Sequence, residues 1–182
     1  MAFQGQNNGG VYASTDNGVT WQIQSAPGTR YNAVAFNDDG TLYAISDGPT
    51  GLAQEGVYRR NADSSWTPLG PDQGTLFESE LLSIAFGEVD SDLFITAGSD
   101  FGVAGFEGTI WRSPDAGAVW TKVYENIAGE GAQAQKVIFV PGTNDQVVLT
   151  GMQSFSAAPI AGLFRSTDSG PVSYTHLRAH ET

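Results

Sequence analysis

The sequence has no cysteine, little basic charge and no long apolar run, and each absence removes a class of function. Without cysteine there is no disulfide, no thiol nucleophile and no thiolate metal ligand. Eight Lys and Arg residues stand against twenty Asp and Glu residues, which gives a formal net charge of −12. A surface of that sign repels nucleic-acid phosphates, so we expect no nucleic-acid partner. The chain also lacks an apolar stretch of the roughly eighteen residues that a membrane span needs, so we expect no membrane insertion.

Histidine occurs only in the last part of the chain. The two histidines, His176 and His180, both lie in residues 172–182. This segment resembles, in register and over its whole length, the translation of a transposase sequencing adapter, which implies a non-native, adapter-derived tail. The i, i+4 spacing of the two histidines is also typical of a metal site. Nothing native would position them, however, so we expect no metal, no cofactor and no histidine base.

An octet that ends in tryptophan recurs along the chain. It reads Ser-Thr-Asp-Asn-Gly-Val-Thr-Trp at residues 14–21 and Ser-Pro-Asp-Ala-Gly-Ala-Val-Trp at residues 113–120, and its first half returns at residues 166–170. An Asp side chain can accept hydrogen bonds from backbone N–H groups a residue or two further on, and a following Gly adopts positive φ at little steric cost. The octet therefore predicts a hairpin turn, after which the Trp opens the next strand and buries its apolar face.

An apolar pair precedes each octet and sets the repeat length. Such pairs start at Val11, Ile110 and Leu163, and a weaker copy that lacks the Gly runs from Val57 to Trp66. The weaker copy predicts a less regular turn. The pair starts at 11, 57, 110 and 163 are separated by 46, 53 and 53 residues. Such a period is typical of a propeller or another repeat array.

Two further strands are predicted before each pair. Residues 31–37, 82–87 and 136–140 are predicted to be buried first strands, and the second strands align through Leu42, Leu93 and Val147. The prediction is an all-β fold, a partial β-propeller of about three four-stranded antiparallel blades in an open arc. It spans residues 10–171, follows a loose segment of residues 1–9, and represents a piece of a longer protein. Because the end blades of such an arc expose apolar faces, we expect the chain to be unstable or oligomeric.

The octets, placed between the third and fourth strands, resemble those of the Asp-box, or BNR-repeat, β-propellers over roughly residues 10–170. That superfamily includes sialidases, xyloglucanase-like glycoside hydrolases, sortilin-type receptors and photosystem assembly factors, so the resemblance implies a fold and leaves the activity open. It also implies an extracellular or cell-envelope protein. It implies a structural role for the octet residues Asp16, Gly18, Trp21, Asp115, Gly117, Trp120, Asp168 and Gly170.

Chemistry is expected on the face opposite the octets, where the predicted long loops lie. Within blades these loops are residues 46–56, 98–108 and 151–162. Glycoside hydrolysis needs two carboxylates at a defined separation, and Asp47 and Asp100 are the catalytic candidates, although solvated loop charge is the commoner role of any one such residue. Aromatic residues that could stack on sugar rings are Tyr31, Phe77, Phe101, Phe106 and Phe155.

Three functions remain open at this stage. The first is a scaffold that binds carbohydrate or protein, with no complete active site in this piece. The second is a fragment of a glycosidase, either xyloglucanase-like or, with less support, exo-sialidase-like. Sialidases clamp an acidic sugar with three arginines, whereas four of the arginines here lie on predicted third strands and only Arg30 lies in a site loop. The third is a structural assembly factor with a protein partner.

Overall fold

The computed structural model describes residues 9–25, 30–46, 56–70, 80–102, 105–125, 131–155 and 161–170, and for residues 100–102, 105 and 106 it describes the backbone alone. Every regular element in these ranges is a β-strand. The thirteen strands are β1 (Tyr12–Ala13), β2 (Gln22–Ile23), β3 (Tyr31–Phe36), β4 (Leu42–Ser46), β5 (Gly56–Arg60), β6 (Trp66–Gly70), β7 (Glu80–Phe86), β8 (Phe94–Gly102), β9 (Gly105–Ser113), β10 (Thr121–Glu125), β11 (Ala132–Phe139), β12 (Val148–Ser154) and β13 (Gly162–Ser166).

The strands form four antiparallel sheets, each a run of sequential neighbours. We call them blade 1 (β1–β2), blade 2 (β3–β6), blade 3 (β7–β10) and blade 4 (β11–β13). This is the predicted division into the last two strands of one blade, two whole blades and three strands of a fourth. The octets join third to fourth strands, as the sequence predicted, so all octets lie at one end of the blades and the β8–β9 turn lies at the other.

Apolar side chains from adjacent blades form two core clusters. Between blades 2 and 3, Tyr43 and Phe86 contact Phe94 edge-on, with ring centroids 5.2 and 4.9 Å apart. Ile45 and Leu81 are fully buried in the same cluster. Between blades 3 and 4 the cluster contains Ile95, Ala97, Ile110, Tyr124, Ala134, Val137, Val148, Met152 and Phe164. Burial of apolar surface between sheets therefore holds the blades together.

Burial of the first strands depends on whether a blade has neighbours on both faces. The prediction that residues 31–37 are buried is wrong, since Val34 is 54% and Phe36 66% exposed. The intervening Ala33 and Ala35 pack toward blade 3, so Val34 and Phe36 face blade 1, of which the described part has only two strands. Strand β7, which has blades on both sides, alternates only between buried and half-buried residues.

The second-strand alignment predicted from sequence is out by one residue. Backbone N–H groups of Asn37, Gly87 and Val140 donate to the carbonyls of Thr41, Leu93 and Val147 respectively. Thr41 therefore corresponds to Leu93 and Val147, and Leu42 corresponds to Phe94 and Val148. The turns differ in length, and the sequence comparison matched the first apolar residue after each turn.

The predicted loop at residues 98–108 is also wrong. Strands β8 and β9 each run for nine residues, and their ladder continues through Asp100↔Glu107 and Phe101↔Phe106 to Gly102↔Gly105. The corresponding strands of blade 2, β4 and β5, have five residues each. The glycines in this segment had favoured a loop, whereas cross-strand pairing extends a hairpin beyond the rest of the sheet.

Tryptophan links each blade to the one before it. The indole Nε1 of Trp66 donates to the carbonyl of Gln24 at 2.9 Å, and that of Trp120 donates to the carbonyl of Leu69 at 2.9 Å. Trp66 and Trp120 are half-buried in these contacts. Trp21 is 59% exposed and donates to Gly18 in its own turn. The predicted burial of Trp21 is wrong because no described blade precedes it.

Candidate functional site

Each octet closes its turn with the same serine and aspartate bonds. In the first, Ser14 Oγ donates to Asp16 Oδ1 at 2.7 Å and accepts from the Gly18 N–H at 2.8 Å. The Asp16 carboxylate accepts from the Thr20 N–H at 2.9 Å. The Asp therefore bonds a residue four positions on, further than the one or two positions that the sequence predicted.

The second and third octets repeat this geometry. Ser113 Oγ donates to Asp115 Oδ1 at 2.7 Å, and Asp115 Oδ1 accepts from the Val119 N–H at 2.9 Å. Ser166 Oγ donates to Asp168 Oδ1 at 2.6 Å and accepts from the Gly170 N–H at 3.1 Å. In each turn the Gly and the residue before it both have positive φ, with Gly18 and Gly117 at 87° and Gly170 at 128°. Glycine adopts this backbone conformation with little strain.

The octet carboxylates are poor proton donors. The Thr20 hydroxyl, with the Thr20 N–H and Ser14, lowers the pKa of Asp16 to about 2. The Val119 N–H and the Ser113 hydroxyl hold the pKa of Asp115 below its ordinary value. A general acid works best with a pKa near the working pH. These two groups are ionised at neutral pH and bonded within their own turns, so they offer little to a substrate.

A carboxylate that the sequence analysis did not select joins the first-to-second-strand turns of blades 3 and 4. Asp145, only 4% exposed, accepts from the backbone N–H groups of Glu88, Val89 and Asp90 at 2.6, 2.8 and 2.8 Å. Glu88 Oε2 in return accepts from the Gly142 N–H at 3.0 Å. The positive φ of Asp145, 58°, is required to turn its side chain toward the neighbouring blade and has no sequence signal beyond the Asn-Asp dipeptide.

The opposite end of blades 3 and 4 carries a polar cluster. Gln133 of β11, 8% exposed, donates through Nε2 to Glu80 Oε2 of β7 at 2.7 Å and to Ser99 Oγ of β8 at 3.2 Å. Gln135 Nε2 donates to Gln133 Oε1. Glu80 pairs with Ser99 across the sheet, so the cluster lies at the base of the extended β8–β9 hairpin. It places a carboxylate and two amides beside the projecting hairpin.

A β-bulge lies near this end of every first strand. The register shifts between Tyr31 and Ala33, between Leu81 and Ser83, and between Ala134 and Lys136. The bulge residues are Asn32, Leu82 and Gln135. Asn32 uses its side-chain Nδ2 to donate to the Leu81 carbonyl of the next blade at 2.8 Å. Bulges redirect side chains and are common next to functional sites, and no sequence signal marks them here.

The predicted site residues are placed as follows. Asp47 and Phe77 lie outside the described residues. Asp100, Phe101 and Phe106 lie in the extended hairpin, where Phe101 is paired directly with Phe106. The structure therefore brings these two aromatic residues together.

Two predicted aromatic residues lie elsewhere on the same face. Tyr31 begins β3 in blade 2, half-buried, with its ring centroid 6.5 Å from that of Trp66. Phe155 follows β12 in blade 4 and is 54% exposed. Tyr31 and Phe155 thus belong to blades on either side of the extended hairpin.

A second concavity lies at the octet end. A groove of about 320 Å³ opens between β7 and β11. Apolar residues of both strands line it together with Asp38, Glu88 and Lys136. Within the described ranges no three His, Cys, Asp or Glu residues are grouped closely enough to hold a metal ion. The same part of the chain has no helix that is long and apolar enough to span a membrane.

Comparison with known proteins supports the fold and leaves the activity open. No family model matches the chain, and no curated protein matches it in sequence. Among solved structures, the GH74 enzyme of Niastella koreensis is similar, with TM-score 0.63 and 22% identity over 92% of this chain and 26% of that one. An ancestral GH74 enzyme has TM-score 0.64 and 23% identity over 88% of this chain and 20% of its own length. The GH74 xyloglucanase of Xanthomonas campestris has TM-score 0.59 and 20% identity over 88% and 26%.

The chain thus spans about a fifth to a quarter of the length of these GH74 structures. At such identities the likeness shows the fold alone. It is nevertheless continuous over most of the chain, and it agrees with the sequential antiparallel sheets and their interblade cores. The chain is therefore an all-β partial β-propeller that resembles a portion of the propeller domains of GH74 glycosidases.

Proposed function

We propose that this chain is part of an exported Asp-box (BNR-repeat) propeller that binds carbohydrate on the face opposite its octets, and that the octets have an architectural role. The observation that carries the proposal is the extended β8–β9 hairpin. Its register pairs Phe101 with Phe106 and, next to them, Asp100 with Glu107. The hairpin projects at the end of blade 3 where Glu80 and Gln133 also lie.

The residue types at this end are those that sugars require. The C–H face of a pyranose ring stacks on aromatic rings, and its hydroxyl groups bond to carboxylates and amides. A ligand site usually combines an apolar platform with a few polar groups that fix orientation. The hairpin supplies aromatic residues, and the Glu80–Gln133 cluster supplies the polar groups.

The like-charged pair at Asp100 and Glu107 also favours a ligand. Like charges directly opposite each other in an antiparallel pair are destabilising, by a few tenths to about 1 kcal/mol. Hydroxyl donors of a bound sugar would offset that repulsion. The octet end offers no comparable arrangement, because its carboxylates are bonded within their turns.

Glycoside hydrolysis is the second candidate function. It is motivated by the fold that the chain shares with GH74 enzymes, one of which is described as a xyloglucanase. In this case Asp47 or Asp100 would supply one of the two carboxylates that the reaction needs. The other would come from outside this chain, since it covers about a quarter of those structures.

Affinity electrophoresis and calorimetry with xyloglucan, other β-glucans and sialylated glycans test both candidates. We expect binding to a neutral polysaccharide, and a loss of affinity of roughly tenfold in a Phe101→Ala/Phe106→Ala variant, because each stacking contact contributes about 0.5–1.5 kcal/mol. Phe36→Ala is the matched control, since Phe36 is 66% exposed on blade 2 and away from the hairpin. Equal loss in both variants would contradict the site. Release of reducing ends that stops in Asp100→Asn would favour hydrolysis.

A further inference from the structure

The indole bonds between blades follow a constant spacing. Trp66 donates to Gln24, which lies three residues after Trp21, and Trp120 donates to Leu69, which lies three residues after Trp66. Each fourth strand therefore offers a carbonyl at a fixed position, and the Trp of the next blade binds it. Counting three residues from Trp120 gives Val123 as the next acceptor in the series.

Val123 has the same backbone setting as Leu69. The register of β5 and β6 shifts so that Leu69 is a bulge residue, and the register of β9 and β10 shifts in the same way at Val123. A bulge interrupts the ladder, which leaves its backbone groups available to another partner. None of the four indoles is bonded to Val123, since Trp21 donates to Gly18, Trp66 to Gln24 and Trp120 to Leu69 and Gly117, while the Trp111 Nε1 is buried with no partner among the described residues.

The third octet already lies against this acceptor. A β-carbon built on Gly117 would meet the Leu69 side chain at 3.0 Å, and one built on Gly170 would meet the Val123 side chain at 3.5 Å. The third octet thus sits on Val123 as the second octet sits on Leu69. Within the described residues, β13 pairs with β12 alone, so its other edge is where a fourth strand of blade 4 would pair.

We propose that the edge of β13 and the Val123 carbonyl form a docking site for a fourth β-strand, continuous with the chain after Gly170, that carries tryptophan seven residues after Ser166. That position is Ser173 in this sequence. The strand completes blade 4 by pairing with β13, and its indole N–H donates to the Val123 carbonyl. The occupied sites at Gln24 and Leu69 show the chemistry that the docking site selects: a flat apolar ring with one N–H donor.

The test is the single substitution Ser173→Trp in the full chain, compared with Ser173→Phe, which supplies an aromatic ring without the N–H donor. We expect Ser173→Trp to increase the folding equilibrium constant over that of Ser173→Phe by roughly fivefold, the effect of one net hydrogen bond. Trp120→Phe calibrates the effect at the occupied Leu69 site. Urea unfolding followed by far-UV circular dichroism gives all three values.

The indole N–H signals in ¹H–¹⁵N spectra supply a readout independent of stability. In Ser173→Trp we expect one additional indole signal that exchanges slowly with solvent, as Trp66 and Trp120 should. A second variant replaces residues 171–178 with the segment that follows Gly117, Ala-Val-Trp-Thr-Lys-Val-Tyr-Glu, and provides the whole strand. If the added indole exchanges freely in both variants, or if Ser173→Trp and Ser173→Phe are equally stable in both strand contexts, the docking site is refuted.

Discussion

Replacement of Asp145 by alanine should loosen the contact between blades 3 and 4. The carboxylate accepts three N–H bonds from the neighbouring turn, and a bond to a charged group contributes about 1.5–3 kcal/mol. The donors Glu88, Val89 and Asp90 are exposed, so water replaces part of what is lost. We therefore expect a net loss of about 2–4 kcal/mol, which for a chain of this size lowers the unfolding midpoint by roughly 5–15 °C.

Two variants control for effects unrelated to this contact. Asp145→Asn keeps the size and one acceptor oxygen, and should cost about half as much as Asp145→Ala. Asp39→Ala removes a carboxylate that bonds only Thr41 of its own turn in the equivalent position of blade 2, and should cost less than about 1 kcal/mol. Amide hydrogen exchange at residues 88–90 should accelerate in Asp145→Ala and stay unchanged in Asp39→Ala.

The stability that Asp145 contributes should depend on pH in a defined direction. Burial raises the pKa of this carboxyl, but the N–H bonds from Asp90, Glu88 and Val89 together outweigh burial and leave the pKa below its ordinary value. A group whose pKa is lowered by folding stabilises the protein above its unfolded pKa, about 3.9 for Asp, and loses that contribution as pH falls through the folded pKa. The stability difference between the wild type and Asp145→Asn should hold from pH 7 to 5 and shrink below about pH 4. A midpoint for Asp145→Ala within 2 °C of that for Asp39→Ala, or a difference that grows in acid, would refute this reasoning.

Three further changes have opposite expected signs. Thr96→Val should stabilise the chain by about 1 kcal/mol in urea unfolding, because the fully buried Thr96 hydroxyl has no hydrogen-bond partner among the described residues; a loss above 1 kcal/mol would argue against this. Gly98→Ala should destabilise by more than about 2 kcal/mol, since its β-carbon would lie 2.1 Å from the Glu80 carbonyl oxygen, whereas Gly151→Ala, with no atom within 4 Å, is the neutral control. Phe36→Ser should reduce self-association in sedimentation velocity, because Phe36 is 66% exposed on the face of blade 2 that points toward blade 1; unchanged association would place the contact elsewhere.

The fold could be predicted from sequence because the repeat carries its own register. The apolar pair, the octet and the Trp recur at nearly constant spacing, and each strand that they predict is present, as β5 (Gly56–Arg60) shows without a change of boundary. Errors arose where local pattern and tertiary context diverge. The Gly-rich segment that forms the β8–β9 hairpin has weak strand character, and pairing across the ladder overrides it.

The candidate site was less accessible to sequence reasoning. Phe101 and Phe106 were selected as aromatic loop residues, but their direct pairing follows from a register that residue types do not encode. Asp145 and Gln133 were not selected, because each derives its importance from a partner 53 to 57 residues away in the chain. Such long-range partners become visible only once the blades are packed.

The spacing of the indole bonds has a consequence for synthesis on the ribosome. Trp66 and Trp120 bind carbonyls that were made 42 and 51 residues earlier. When either tryptophan leaves the exit tunnel, its acceptor strand has already been translated and can be in place. Growth of the nascent polypeptide is therefore templated from the N-terminal side, with every newly emerged sheet capturing the one translated before it.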